Sequence, residues 1–182
     1  MIVEAYADNN PDGELYPPDI QTPYVICNGY MYDVLQGISD HAKLQIVLNA
    51  VEKGSNPWGC TDYLNQKKKI LETGADVYEL MNDYPVHTKA VLINDRLSVV
   101  GSYNLDMRST YLDTELMLVI DSEKLSQQIH ETESDYMEKS KEVLANGQET
   151  EGAKYQGKVL NRKKKLYYGV LRIIIRPLRQ LL

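Results

Sequence analysis

The chain has 182 residues, 43% of them hydrophobic and 25% charged, which suits one globular domain with a tail and excludes a disordered polymer. No window approaches the roughly 18 to 20 unbroken apolar residues of a spanning helix. Cys27 and Cys60 are too few for a disulfide scaffold and make no zinc pattern. The net charge of −6 divides unevenly: residues 1–150 hold eleven of the twenty basic and twenty-five of the twenty-six acidic residues, a balance of −14, while residues 151–182 carry +8. An acidic body repels nucleic acid, and a basic tail attracts a polyanion or an anionic lipid surface. The start, MIVEAYADNNPDG, lacks the basic and apolar stretches of a secretory signal, so a reducing, cytoplasmic setting is expected.

Residues 1–20, rich in Pro, Asn, Gly and acid, predict a linker or loosely held arm. PYVIC (23–27) is a short apolar run suited to a strand, and Met31, Val34, Leu35 and Ile38 predict a helix over 31–43. KLQIVLNAV (43–51) reads as a strand, SNPWGC (55–60) as turn chemistry, and 61–74 as a helix that opens on Thr61 and stops at Gly74. ADVYELM (75–81) is strand-like. HTKAVLI (87–93) and LSVVGSYN (97–104), joined by Asn94-Asp95-Arg96, predict a β-hairpin, and ELMLVID (115–121) another strand. A capped, charged run predicts one long surface helix over 122–144, and the polar ANGQETEG (145–152) opens a linker assigned to 146–160. Strands alternating with helices, plus a hairpin, predict an α/β layered domain over 21–145, with a mixed central sheet flanked by helices.

The chemistry concentrates around the hairpin. Residues two apart on a strand share a face, so His87 and Lys89 project together from the first arm, and Ser102 and Asn104 from the second. An imidazole, an ammonium, a hydroxyl and an amide around one point suit a phosphodiester. The ammonium neutralises the anion that would repel a nucleophile, and Ser and Asn donate to non-bridging oxygens. Neutral imidazole is a competent nucleophile near pH 7, and a carboxylate on its other nitrogen would fix its tautomer; Glu115 is the nearest candidate. Asp106 and Arg108 read as a structural ion pair after the hairpin.

The string HTK…ND…GSYNLDMRS resembles the HKD motif of the phospholipase D superfamily, and LDMRSTYLDTELMLVIDSEKL is similar to the second HKD half of bacterial cardiolipin synthases. The likeness extends over about residues 20–140. It implies a two-step exchange in which His87 attacks phosphorus and carries a phosphohistidine, Lys89 and Asn104 grip the phosphate oxygens, Ser102 lines the pocket and Glu115 orients His87. The substrate would be an anionic phospholipid of the phosphatidylglycerol type, with no metal and no cofactor. Two departures stand out. The motif's acidic position falls on Asn94, which keeps the size and turn preference of Asp without its charge. The superfamily mechanism also needs two HKD histidines, and the sequence has a single His-x-Lys, since neither His41 nor His130 has a lysine two residues on. A second HKD half, in cis or from another copy, is therefore expected. A homodimeric superfamily nuclease and a non-catalytic membrane or partner-binding half-domain are the competing readings.

From Asn161 the chain reads NRKKKLYYGVLRIIIRPLRQLL. On a helix, Lys165, Arg172, Arg176 and Arg179 lie on one face, with Leu166, Val170, Ile173, Ile174, Leu178 and Leu181 over much of the remainder. Pro177 should end or kink it. A basic amphipathic helix opening on Tyr167 and Tyr168 predicts attachment at the inner face of the cell membrane, each basic residue contributing about 1 kcal/mol at an anionic surface. A docking helix for a partner subunit is the alternative.

Overall fold

The computed structural model describes residues 18–182. The chain order is β1 (Asp19–Gln21), β2 (Val25–Ile26), α1 (Gly29–Ser39), β3 (Gln45–Asn49), α2 (Pro57–Glu72), β4 (Asp76–Leu80), β5 (Ala90–Ile93), β6 (Leu97–Gly101), β7 (Leu105–Asp106), α3 (Met107–Tyr111), β8 (Met117–Asp121), α4 (Glu123–Glu138), β9 (Ser140–Val143), β10 (Glu149–Glu151) and α5 (Arg162–Ile174), closed by a 3₁₀ turn over Arg176–Leu181. The main sheet runs β10-β9-β4-β3-β1-β5-β6-β8. β1, β3 and β4 are parallel, the remaining pairs antiparallel, and β2 pairs with β7 in a small parallel sheet. The fold is the expected mixed α/β layering.

Strand alternation builds two cores. Ile20, Ile46, Leu48 and Val77 turn to one face of the sheet, where they meet Met31 and Leu35 of α1 and Tyr63 and Ile70 of α2. Val47, Tyr78 and Leu80 turn to the other, against Tyr136 and Met137 of α4. Helix starts follow local chemistry: Asn28 accepts from Met31 N at 3.0 Å, and Ser122 from Leu125 N at 3.3 Å. Asn56 accepts from Trp58 N and Gly59 N with Pro57 in the first helical turn, so SNPWGC opens α2 instead of preceding it as a turn.

Three other expectations change. The arm predicted over 1–20 lies outside the described residues as far as residue 17, but Asp19–Gln21 form β1 in the middle of the sheet. Three residues with two polar side chains carry no hydrophobic run, and their strand state comes from pairing with β3 and β5 on both sides. The helix predicted over 122–144 stops at Glu138, because residues 140–143 complete the ladder of β4, which would otherwise be an unpaired edge. The linker predicted from 145 begins as a hairpin in which β10 returns along β9 through a turn with Gly147 at φ 83°.

The C-terminal helix is present, ends before Pro177, and packs on α2. Tyr168, Leu171 and Ile175 are buried, and the Tyr168 hydroxyl donates to Val51 O at 3.3 Å. The basic residues do not form one outward stripe. Arg172 Nε donates to Asn65 Oδ1 at 2.8 Å, and Arg179 pairs at 2.6 Å with Asp62, whose side chain is fully buried. These two arginines serve the contact with the body because a buried carboxylate needs a partner. Leu166, Tyr167, Val170 and Ile173 face outward instead.

Candidate active site

The first arm of the hairpin is shorter than its sequence suggests: β5 begins at Ala90, and His87-Thr88-Lys89 lead into it. Two contacts hold this lead-in. Lys89 O accepts from Gly101 N at 3.2 Å, and buried Asn49 at the end of β3 clasps the backbone of Val86. Asn49 Oδ1 accepts from Val86 N, and Asn49 Nδ2 donates to Val86 O, both at 2.8 Å. Asn49 thus positions the residue before His87, which sequence reading missed; the one signal was an Asn closing an apolar strand. His87 is exposed and Lys89 half-buried. Lys89 Nζ stands 3.0 Å from His87 Nδ1 and 3.2 Å from Nε2, and donates to His87 O at 3.0 Å. Burial and the adjacent ammonium both lower the His87 pKa, which favours the neutral ring. Burial lowers the Lys89 pKa, against the raising charges of Glu115 and Asp106.

The second group forms where β6 gives way to a loop. A Cβ at Gly101 would meet Leu116 O at 2.0 Å and Met117 Sδ at 2.6 Å, so this position has room only for glycine. Past it, Ser102 and Asn104 lie beyond β6 and do not share a strand face as predicted. Ser102 N donates to Leu116 O at 3.0 Å, Ser102 Oγ accepts from Leu116 N at 3.0 Å, and Ser102 Oγ donates to the Glu115 carboxylate. Glu115 is thereby fixed by Ser102, and no hydrogen bond joins it to His87 among the described residues. The Asn104 amide approaches Ser109 Oγ at 3.4 Å, and its Oδ1 is buried with no hydrogen-bond partner. The structure therefore brings together His87 with Lys89, and Ser102 with Glu115, whose charge acts on Lys89.

The family described as "Cardiolipin synthase, PLD-like domain" matches residues 18–135. The chain belongs to this family. It is 31% identical to cardiolipin synthase A of Proteus mirabilis and 29% identical to that of Serratia proteamaculans, each over 146 residues and 78% of the chain. It spans 28% of the length of each of these relatives. Among solved structures, the phosphatidylserine synthase of Haemophilus influenzae superposes with a TM-score of 0.61 at 15% identity, over 93% of this chain and 42% of that one. Nuc, a phospholipase D family member from Salmonella typhimurium, gives 0.57 at 15% identity, over 76% of this chain and 89% of that one. At such identities these likenesses show the fold.

Within this PLD-like domain, Asn94 lies at the end of β5 away from Lys89 and takes φ 62°, a left-handed conformation that Asn tolerates best after Gly. Its Oδ1 accepts from Arg96 N at 2.9 Å and Leu97 N at 3.1 Å, which shapes the turn. Five residues of extended chain put it about 16 Å from Lys89. The expected ion pair of Asp106 with Arg108 is replaced by two separate contacts. Asp106 caps α3 by accepting from Ser109 N at 2.6 Å, and Arg108 pairs with Asp113 at 3.1 Å.

Proposed function

We propose that this chain supplies one histidine of a two-histidine active site that transfers or hydrolyses the phosphatidyl group of an anionic phospholipid such as phosphatidylglycerol. The observation that carries the reading is the exposed His87 ring with the Lys89 ammonium 3.0 Å from it. In the first step the His87 lone pair attacks phosphorus while the bond to the leaving glycerol oxygen breaks, and an acid supplied by a second HKD half protonates that oxygen. Lys89 neutralises the equatorial oxygens, the Asn104 amide donates to them, and Ser102 holds the Glu115 carboxylate, whose charge acts on Lys89. In the second step water or an alcohol attacks phosphorus, gives its proton to the group of the second half that acted as acid, and breaks the P–N bond to free His87. The relatives carry the name cardiolipin synthase, which favours an alcohol acceptor.

A second HKD half would sit beside the sheet edge in this reading. β8 is terminal, and Leu118 and Val119 on it and Leu116 just before it are exposed, a surface suited to a second copy or the other half of a longer chain. Outward-facing Leu166, Val170 and Ile173, with Lys163, Lys164 and Lys165 at the helix start, favour α5 as a segment that rests on the cytoplasmic membrane surface. Among the described residues no helix is long and apolar enough to cross a membrane.

The test uses vesicles of phosphatidylglycerol labelled at phosphorus, with the full chain alone and with a second HKD half added. Acid-labile, base-stable label on the protein and lipid turnover are expected, both lost in His87→Ala. Equal turnover by wild type and His87→Ala would overturn the proposal, as would cleavage of DNA in place of lipid.

A further inference from the structure

β1 and α4 meet at a point that the lipid chemistry leaves unused. Ile20 belongs to the core over α1 and α2, so Asp19 and Gln21 turn to the opposite face, which α4 covers. His130 and Glu133, three apart, share the face of α4 that meets them. Asp19 is 4% exposed and Glu133 1%. Asp19 Oδ1 and both oxygens of Glu133 are buried without a hydrogen-bond partner, an expensive state for carboxylates unless a cation or protons balance them.

The histidine is already aimed. His130 Nε2 lies 3.3 Å from the carbonyl oxygen of Asn94, which can only accept, so Nε2 is the donor. A neutral ring then carries its lone pair on Nδ1, which stands 3.7 Å from Asp19 Oδ2. One donor atom from each of Asp19, His130 and Glu133 lies within 4.8 Å of the others. A backbone carbonyl on the far nitrogen is the usual way a metal-ligating imidazole is oriented.

We propose that Asp19, His130 and Glu133 bind one divalent transition-metal ion of the zinc class, which ties α4 to the central strand. One imidazole and two carboxylates suit that class. Bond lengths of about 2.0–2.2 Å require the three donors to draw in by roughly 1 Å, within reach of side-chain rotation. The ion sits beside the hairpin turn at Asn94, at the opposite end of β5 from Lys89, so its role is to hold the layers together.

The test titrates the chelator-stripped full chain with Co²⁺ and then Zn²⁺, reading visible absorption, stoichiometry and unfolding temperature. One equivalent of Co²⁺ is expected, displaced by Zn²⁺, with a rise in unfolding temperature. Affinity should fall at least tenfold in Glu133→Gln and in His130→Gln, and stay unchanged in His87→Ala. Glu133→Gln keeps the shape and removes a buried charge, so when stripped it should be at least as stable as the wild type while losing the metal-induced rise. No binding by the wild type, or Co²⁺ binding by Glu133→Gln equal to wild type, would overturn the proposal and leave a buried cluster balanced by protons.

Discussion

His87 combines exposure with a lowered pKa, because partial burial and the Lys89 ammonium both penalise the imidazolium. The direction of that effect is testable apart from any activity. Replacing Lys89 with Gln removes a positive charge next to the ring, so the His87 pKa should rise, and a proton-detected titration of the histidine ring should show its midpoint at higher pH than in the wild type. An unchanged midpoint would mean that the ammonium does not act on the ring. At this same scale the His-x-Lys spacing is legible without the fold, since residue identity and separation carry it. Asn49 was not legible, because its hold on Val86 joins residues 37 apart in the chain.

The C-terminal segment shows how an element changes meaning when it packs. Periodicity separates basic from apolar residues on α5, but the face that docks is chosen by what the body offers. Tyr168 and Leu171 fill the α2 surface, and Arg179 reaches Asp62 Oδ1 at 2.6 Å and Cys27 O at 2.5 Å. Burial raises the Asp62 pKa, and Arg179 opposes that rise. Removing Arg179 would leave a buried carboxylate without its partner, so Arg179→Ala should destabilise the chain by about 3–5 kcal/mol in denaturant unfolding. Asp62→Asn added to it should recover much of that loss, because the uncompensated charge is gone. A similar loss in both variants would assign the cost to packing alone.

For the whole molecule, the acidic body and basic tail predict an orientation at a lipid surface. The exposed apolar face of α5, and not its arginines, should govern attachment to vesicles containing anionic lipid. Ile173→Glu and Leu166→Glu lie outside the docked face and should each reduce the bound fraction several-fold while leaving unfolding unchanged. High salt should weaken binding of the wild type by screening Lys163, Lys164 and Lys165. Retention of full binding by both variants would favour the partner-docking alternative for this helix.

What the sequence determined by itself was local: the strand state of β3 and β4, the capped start of α4, and the His-x-Lys spacing with its glycine. These depend on neighbours within one turn or one strand, so composition and spacing expose them. Only tertiary structure decided the rest. Asp19–Gln21 become the middle strand because β3 and β5 pair with them, and Ser140–Val143 leave the helical run because β4 lacks a neighbour. Arg179 turns inward because Asp62 is buried. In each case the deciding partner lies far along the chain, and its hydrogen bonds or charge outweigh the weak local preference of the segment.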